Sequence, residues 1–364
     1  VARITYLDSA RGILALSVII LHSAAGYLQY PVSVWPRYSA KCHIAFDFLV
    51  CILEMFQMPV FFLLAGFCSY FLFQKVGWLC FMTNRIKRIV VPFCIVVLLI
   101  NLPNLLVKLL AHNIHTIRDG LSVLQNLSFV WFLEYLLILY LTFLFVVSIN
   151  SYLKQIRPNL FRKYIDLYEK FCQLNSFILG SIFVSLHFTF LYFAGDWFTP
   201  VRLGVIPDIW VMLIYSLYFY FGLMIATQKT LTTYFIFSYK KLLLTGIIYL
   251  FYMFTMLYCH KNEATRCFAI AIYAAASYLL TYQFISICIK FFSNENKFLH
   301  LLSRASYCIY LTQVFFIMFV HSFVKNIESI FIQFGLICVL TLMLSLICFS
   351  FYNTLTLPSP ASEH

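Results

Sequence analysis

Long apolar runs, each about as long as a bilayer is wide, alternate along this chain with short polar breaks. A window near 20 residues, the length needed to cross about 30 Å of hydrocarbon, finds about ten of them. They fall near 12–29, 45–73, 89–110, 129–149, 176–194, 209–226, 242–259, 266–290, 301–323 and 330–351. The pattern predicts an all-α fold: a polytopic membrane helix bundle of about ten transmembrane helices, because a helix satisfies its own backbone in lipid. The second run is long and contains Pro59 and Gly66, so a tilt or break is expected there. Pro92 and Pro103 predict the same for the third. The stretch from about Asn150 to Asn175 reads as a short amphipathic surface helix. No internal repeat is visible. Residues 1–352 are expected to form a single transmembrane domain, with a disordered tail over 353–364.

Composition agrees with the pattern. The chain has 364 residues, 63% of them hydrophobic and only 10% charged, against about 25% charged in ordinary soluble domains. Mean hydropathy is +0.91. A formal net charge of +12 would suggest nucleic acid in a soluble protein; here it is read as basic flanks of membrane spans, and no nucleic-acid partner is expected. Membrane lipids are. With the N-terminus placed in the cytoplasm, roughly 17 of the 25 basic residues fall on the inner side. This predicts a multi-pass protein with both termini cytoplasmic. The first helix is expected to remain uncleaved, although Ser23-Ala24-Ala25 offers small residues for processing. The 12 cysteines show no CxxC and no Cys/His ligand spacing, so no metal is expected. Cys259 and Cys267 flank one short loop and are near enough in sequence to pair in an oxidising compartment.

Ionisable groups inside such spans are costly and point to function. Arg11 and His22 lie on the first helix, roughly 16 Å apart along its axis at ~1.5 Å per residue. That puts a cation at one membrane face and an imidazole deep inside. A neutral imidazole can take a proton from a hydroxyl, as a general base must; an interhelical hydrogen bond is the competing reading. Arg85, Lys87 and Arg88 form a second basic cluster at the start of the third span. Such a mouth suits a phosphorylated ligand, or plain anchoring at the membrane face. Asp8 stands one turn before Arg11 and either orients it or caps the helix together with Ser9. Asp47, Glu54, Gln57, Glu134, His187 and Gln313 are the other polar residues within spans. Asp47 and Glu54 share a helix face, with Asp47 toward the outer interface. A carboxylate touching His22 would orient its ring, the logic of a catalytic dyad, and Glu54 and Glu134 are the candidates.

Taken together, these residues resemble integral-membrane acyltransferase family 3. Arg11 and His22 are similar to its Arg-x10-His signature. The stretch Phe56 to Phe62 through Gly66 resembles F-x-M-P-x-F-F-x-x-x-G, and Arg85, Arg88 and Pro92 resemble R-x-x-R-x-x-x-P. Trp131-Phe132-Leu133 resembles the W-F-L of H-L-W-F-L, Tyr218 to Gly222 falls where the family has aromatics before a glycine, and Ser306 to Leu311 resembles S-x-x-I-Y-L. The likeness runs over about residues 3 to 350 and is greatest to the glucan biosynthesis protein C branch. The chain departs where Phe129-Val130 and Gln313 stand in place of family histidines, at Gln57, and at Glu134.

The resemblance implies an O-acyltransferase of the bacterial inner membrane. It would move an acetyl or succinyl group from acyl-CoA (acetyl-CoA or succinyl-CoA as co-substrate) to a hydroxyl of an extracytoplasmic glycan, such as a periplasmic glucan. Arg11 with Arg85 or Arg88 would hold the CoA phosphates. His22 would act as base, with Glu54 and Glu134 as further catalytic candidates. The competing expectations are a transporter or flippase with a His22, Glu54 and Glu134 relay, and a catalytically inactive member that acts through partners.

Overall fold

A computed structural model describes residues 5–30, 39, 41–91, 94, 131–200, 207–228 and 231–356. Every regular element among them is helical. In chain order they are α1 (Thr5–Ala25), α2 (Ile44–Arg85, continued by a π-helical turn Ile86–Val90), α3 (Trp131–Ile156), α4 (Pro158–Cys172), α5 (Ser176–Ala194), α6 (Ile209–Gln228), α7 (Leu231–Tyr234), α8 (Tyr239–Tyr258), α9 (Glu263–Phe291), α10 (Lys297–Val324) and α11 (Ile330–Thr356). Among the described residues nine helices are long and apolar enough to cross a membrane, all but α4 and α7. They match nine of the ten expected spans. The expected third span, with Pro92 and Pro103, lies almost wholly outside the described residues, as do Phe129-Val130; of the tail expected over 353–364, the first four residues continue α11 to Thr356 and the rest lie outside the described residues.

The chain divides into two compact units, residues 58–283 and residues 2–57 with 284–364. In the first, α2 and α6 cross at two glycines. A Cβ on Gly66 would lie 1.9 Å from the Phe219 carbonyl oxygen, and one on Gly222 would lie 2.0 Å from that of Leu63. Small residues let transmembrane backbones approach this closely, where apolar burial gives no drive against lipid. The aromatic stretches flanking the crossing meet. Phe62 stacks on Tyr215 at 4.5 Å, Phe132 packs on Phe61 and Phe62, and Trp131 packs on Tyr215. Further along, Phe73 meets Phe143. These pairs make α2, α3 and α6 parallel neighbours, the directions that a ten-span reading gives its second, fourth and sixth spans.

The expected break in α2 occurs elsewhere. Pro59 lies inside continuous helix, and the non-helical residue is Gly77, at φ 70 and ψ −176. A φ of that sign is open to glycine at no steric cost, whereas the gap left by the missing Pro59 N–H can be absorbed within a helix packed in a bundle. Gly66 is a contact residue, not a hinge. The polar stretch after α3 is α4, which opens on Pro158 and buries no residue. Asn175 caps α5 by accepting from the Phe177 N–H. Cys259 and Cys267 are free thiols.

His187, polar and fully buried, belongs to a chain of hydrogen bonds. The Tyr218 hydroxyl bridges His187 Nδ1 at 3.2 Å and Ser277 Oγ at 2.8 Å, and Nε2 lies 3.4 Å from Thr199 Oγ1. This network joins α5, α6 and α9, so His187 has a structural use.

In the second unit α1 packs between α10 and α11. Small and apolar positions of α1 line up with the stripe Leu299, Leu302, Ala305 and Ile309 of α10. The register rises together on both helices, so they run parallel. Cys308 and Thr312 bond to Ser345 of α11, which runs back against α10. The Tyr27 hydroxyl donates to Gln333 Oε1 at 2.9 Å and closes the other end.

The glycine crossing gives a direct test. Gly222→Ala forces a methyl group into the Leu63 backbone, a cost of about 1–3 kcal/mol or more. Thermal unfolding in detergent should show a clear drop in midpoint, whereas Gly246→Ala, in open space, should leave it in place.

Candidate active site

Positions 8, 12, 15, 19 and 22 of α1 follow a 4-3-4-3 spacing, so they form one stripe on a helix. That stripe faces α10. Asp8 Oδ1 accepts from the Ser303 hydroxyl at 3.3 Å. Gly12 comes next; a Cβ there would lie 2.6 Å from the Leu299 carbonyl oxygen. Ala15 and Ile19 follow in the buried core. His22 therefore arrives on the α10 side, where the Gln313 side chain lies within hydrogen-bonding range of its ring. Gln313 is fully buried, and its Oε1 has no well-aligned donor. His22 itself is half-buried. Catalytic hydrogen bonds are often loose before substrate arrives and tighten in the complex.

Arg11 precedes Gly12 by one residue, which turns it off the seam, and it is exposed. Asp8 and Ser9 do not cap α1. Both lie inside the helix, and the Ser9 hydroxyl donates to the Phe292 carbonyl at 3.1 Å while Thr5 bonds the Ser293 carbonyl. The start of α1 is thus pinned to the turn between α9 and α10. That leaves the guanidinium of Arg11 at the end of a fixed helix.

Glu54 is half-buried on α2 and shares a face with Cys51 and Asp47. Asp47 is committed elsewhere: its carboxylate accepts from the backbone N–H groups of Gln29 and Tyr30 at 2.9 and 3.0 Å, which ties the segment after α1 to the start of α2. No ion pair involves Glu54 among the described residues. Thus Gln313, and not Glu54, is the side chain brought to His22 in this unit. Gln57, one turn from Glu54, is fully buried, and neither atom of its amide has a hydrogen-bond partner among the described residues.

The remaining candidates lie in the other unit. Arg85 is half-buried, with its guanidinium 4.9 Å from the centre of the Phe81 ring and 4.4 Å from that of Tyr140. Its Nε is buried without a hydrogen-bond partner among the described residues. Two aromatic faces hold this cation, and no carboxylate pairs with it among the described residues. Arg88 and Lys87 are exposed on the π-helical turn. Glu134 is half-buried near the start of α3, with Oε2 buried and unpartnered among the described residues. No group of His, Cys, Asp and Glu suited to a metal ion occurs among the described residues. The sequence pattern named the cations and the imidazole. It did not show the rings beneath Arg85, which come from α2 and α3, or the contact made by Gly12.

The nine long apolar helices among the described residues define a polytopic membrane protein. Residues 4–350 match the family model described as an acyltransferase domain. That is nearly the whole chain, and the chain belongs to acyltransferase family 3: it is a membrane acyltransferase. No curated protein and no solved structure matches it.

The unpaired state of Arg85 is testable. Arg85→Met keeps the stem and its packing but removes the charge, and no buried carboxylate loses a partner. The thermal midpoint should stay within a degree or two of wild type or rise, since losing a half-buried unpaired charge is not a cost. A fall of many degrees would make Arg85 a structural residue.

Proposed function

We propose that this acyltransferase moves an acetyl or succinyl group from acyl-CoA to a hydroxyl of an extracytoplasmic glycan, such as a periplasmic glucan. The observation that carries this reading is the α1 seam. One helix holds an exposed guanidinium at its start and, roughly 16 Å further along, a half-buried imidazole faced by a buried amide. Arg11 would pair with phosphate of the CoA donor by its planar fork of donors. Arg85, which pairs with no carboxylate among the described residues, and the exposed Arg88 are the further phosphate ligands of this reading. The glucan biosynthesis protein C branch is the part of the family whose motifs this chain resembles most. The protein would sit in the bacterial inner membrane with both termini cytoplasmic, a reading supported by the basic residues gathered on one side.

In the reaction His22 takes the proton of the acceptor hydroxyl as its oxygen attacks the thioester carbonyl. The C–S bond breaks, the new ester forms, and the CoA thiolate leaves with the proton now on the imidazolium. A two-step route through acyl-His22 moves the same groups. The Gln313 amide orients the ring. Glu54 and Glu134 remain catalytic candidates through their half-buried carboxylates.

The test is mass spectrometry of glycans from envelope and periplasm. Deletion of the gene should remove ester substituents that the wild-type gene restores. His22→Ala, expressed to equal level, should lower restoration by about 10²–10⁴-fold, the usual weight of a general base. Gln313→Leu should reduce turnover with little change in donor KM. An unchanged ester profile in the deletion strain would remove the glycan acceptor. Full restoration by His22→Ala would remove the base.

A further inference from the structure

A cavity of about 660 Å³ lies in the unit formed by residues 58–283, beneath α4. Its size is that of a small-molecule site. Its walls are mainly apolar, with Phe73 of α2, Phe143 of α3, Phe161 of α4, Phe183 of α5 and Met224 of α6. The polar exception with a full charge is Lys154, at the end of α3. Two of the lining residues, Ile182 and Leu186 of α5, are themselves exposed. The cavity therefore opens sideways onto the apolar exterior of a membrane-crossing helix, where the neighbouring molecules are lipids.

α4 forms the roof. It is amphipathic, lies outside the candidate spans, and has no fully buried residue; Tyr164, Leu167 and Phe171 of its apolar side stay exposed. This is the composition of a helix that lies in the interface plane of a bilayer. Neutral ties hold it down: the Tyr168 and Thr227 hydroxyls are 3.0 Å apart, and Cys172 bonds to the Gln228 side chain. Burial pushes the Tyr168 phenol up to about 12, with the Thr227 bond acting the other way, so the tie persists across physiological pH. Lys154 lines the cavity, and Arg157, Arg162, Lys163 and Lys170, beside or on α4, are exposed, against two carboxylates in the same stretch, Asp166 and Glu169.

From these features we propose that the cavity binds one acyl chain of an anionic phospholipid, with its headgroup at Lys154 and the basic side chains of α4. The lining is mainly apolar, with uncharged polar groups such as Gln74, Asn150 and Tyr220 beside Lys154, and so suits an acyl chain better than a water-soluble anion; a zwitterionic lipid leaves the basic side chains unmatched. An acyl chain entering sideways with a negative headgroup meets both conditions. The bound chain lies against Phe73 and Phe143, which pack on Phe81, the ring under Arg85. The lipid thereby braces the platform of that cation. This inference stands apart from the identity of donor and acceptor.

Native mass spectrometry of the full chain tests it, after equilibration in micelles with equal amounts of phosphatidylglycerol and phosphatidylcholine. One phosphatidylglycerol should be retained per chain, in preference to phosphatidylcholine. Lys154→Gln should reduce that preference by about fivefold, the weight of one basic side chain at an anionic surface. Val147→Trp, which fills the cavity from α3, should abolish retention; Leu186→Trp does the same from α5 should the first variant fail to fold. Equal retention of both lipids by wild type would overturn the proposal. So would retention unchanged by either tryptophan, which would mean surface lipid only. Displacement of the lipid by acetyl-CoA or succinyl-CoA would assign the cavity to the donor and overturn it as well.

Discussion

At Gly12 the backbones of α1 and α10 approach so closely that a single added methyl would press on the Leu299 carbonyl. The geometry of the candidate site follows from that contact. Once the two helices touch there in parallel, the 4-3-4-3 stripe of α1 carries Ala15, Ile19 and then His22 onto the same partner. The stripe of α10 carries Leu302, Ile309 and then Gln313 to meet it. Arg11, one residue off the stripe, is left outside. One close approach therefore sets the register of the imidazole, its amide neighbour and the exposed cation. In lipid, where apolar surfaces gain little by meeting, such close backbone packing and polar contacts hold helices together. A shift of the order of 1 Å at a remote packing residue can cost about 10²-fold in rate, so Gly12 matters to chemistry that it never touches.

The two units solve the same problem in the same way. Gly66 and Gly222 bring α2 against α6 as Gly12 brings α1 against α10. Around each crossing the polar side chains are placed with different aims. Asp47, Ser9 and His187 are satisfied by backbone or hydroxyl partners and hold segments together. Gln57, Glu134 Oε2 and Arg85 Nε are buried with no partner among the described residues. Groups of the second kind are destabilising in a finished core, so they mark where a folded protein still has binding to do.

Much of the fold was legible because a membrane span writes its length into hydropathy. The run 176–194 coincides with α5 to the residue, and the amphipathic stretch near residues 150–175 contains α4. Even helix direction was legible, since the parallel neighbours α2 and α3 run as their span numbers require. The break in α2 was not. Pro59 is the stronger sequence signal, yet the turn sits at Gly77, because neighbouring helices absorb a missing N–H more readily than a Cβ tolerates a positive φ. For the site, Arg11 and His22 stand out in sequence as charge and imidazole in an apolar run. Their surroundings do not, because Ser303, Leu299 and Gln313 lie almost 300 residues away along the chain. The capping expected of Asp8 and Ser9 failed for that reason: local rules saw a helix start, while α10 and the turn before it supplied the partners.

The account places a base and a phosphate-binding cation on one helix, spaced for a thioester donor that threads from the charged mouth inward. A high-resolution structure of the full protein with a non-hydrolysable thioether analogue of the acyl-CoA donor measures this directly. The account predicts phosphate oxygens on the Arg11 guanidinium and the atom that replaces the thioester sulfur within about 4 Å of the His22 ring, with Gln313 hydrogen-bonded to the other side of that ring. An analogue bound elsewhere, with the His22 ring packed against lipid and closed to it, would contradict the account.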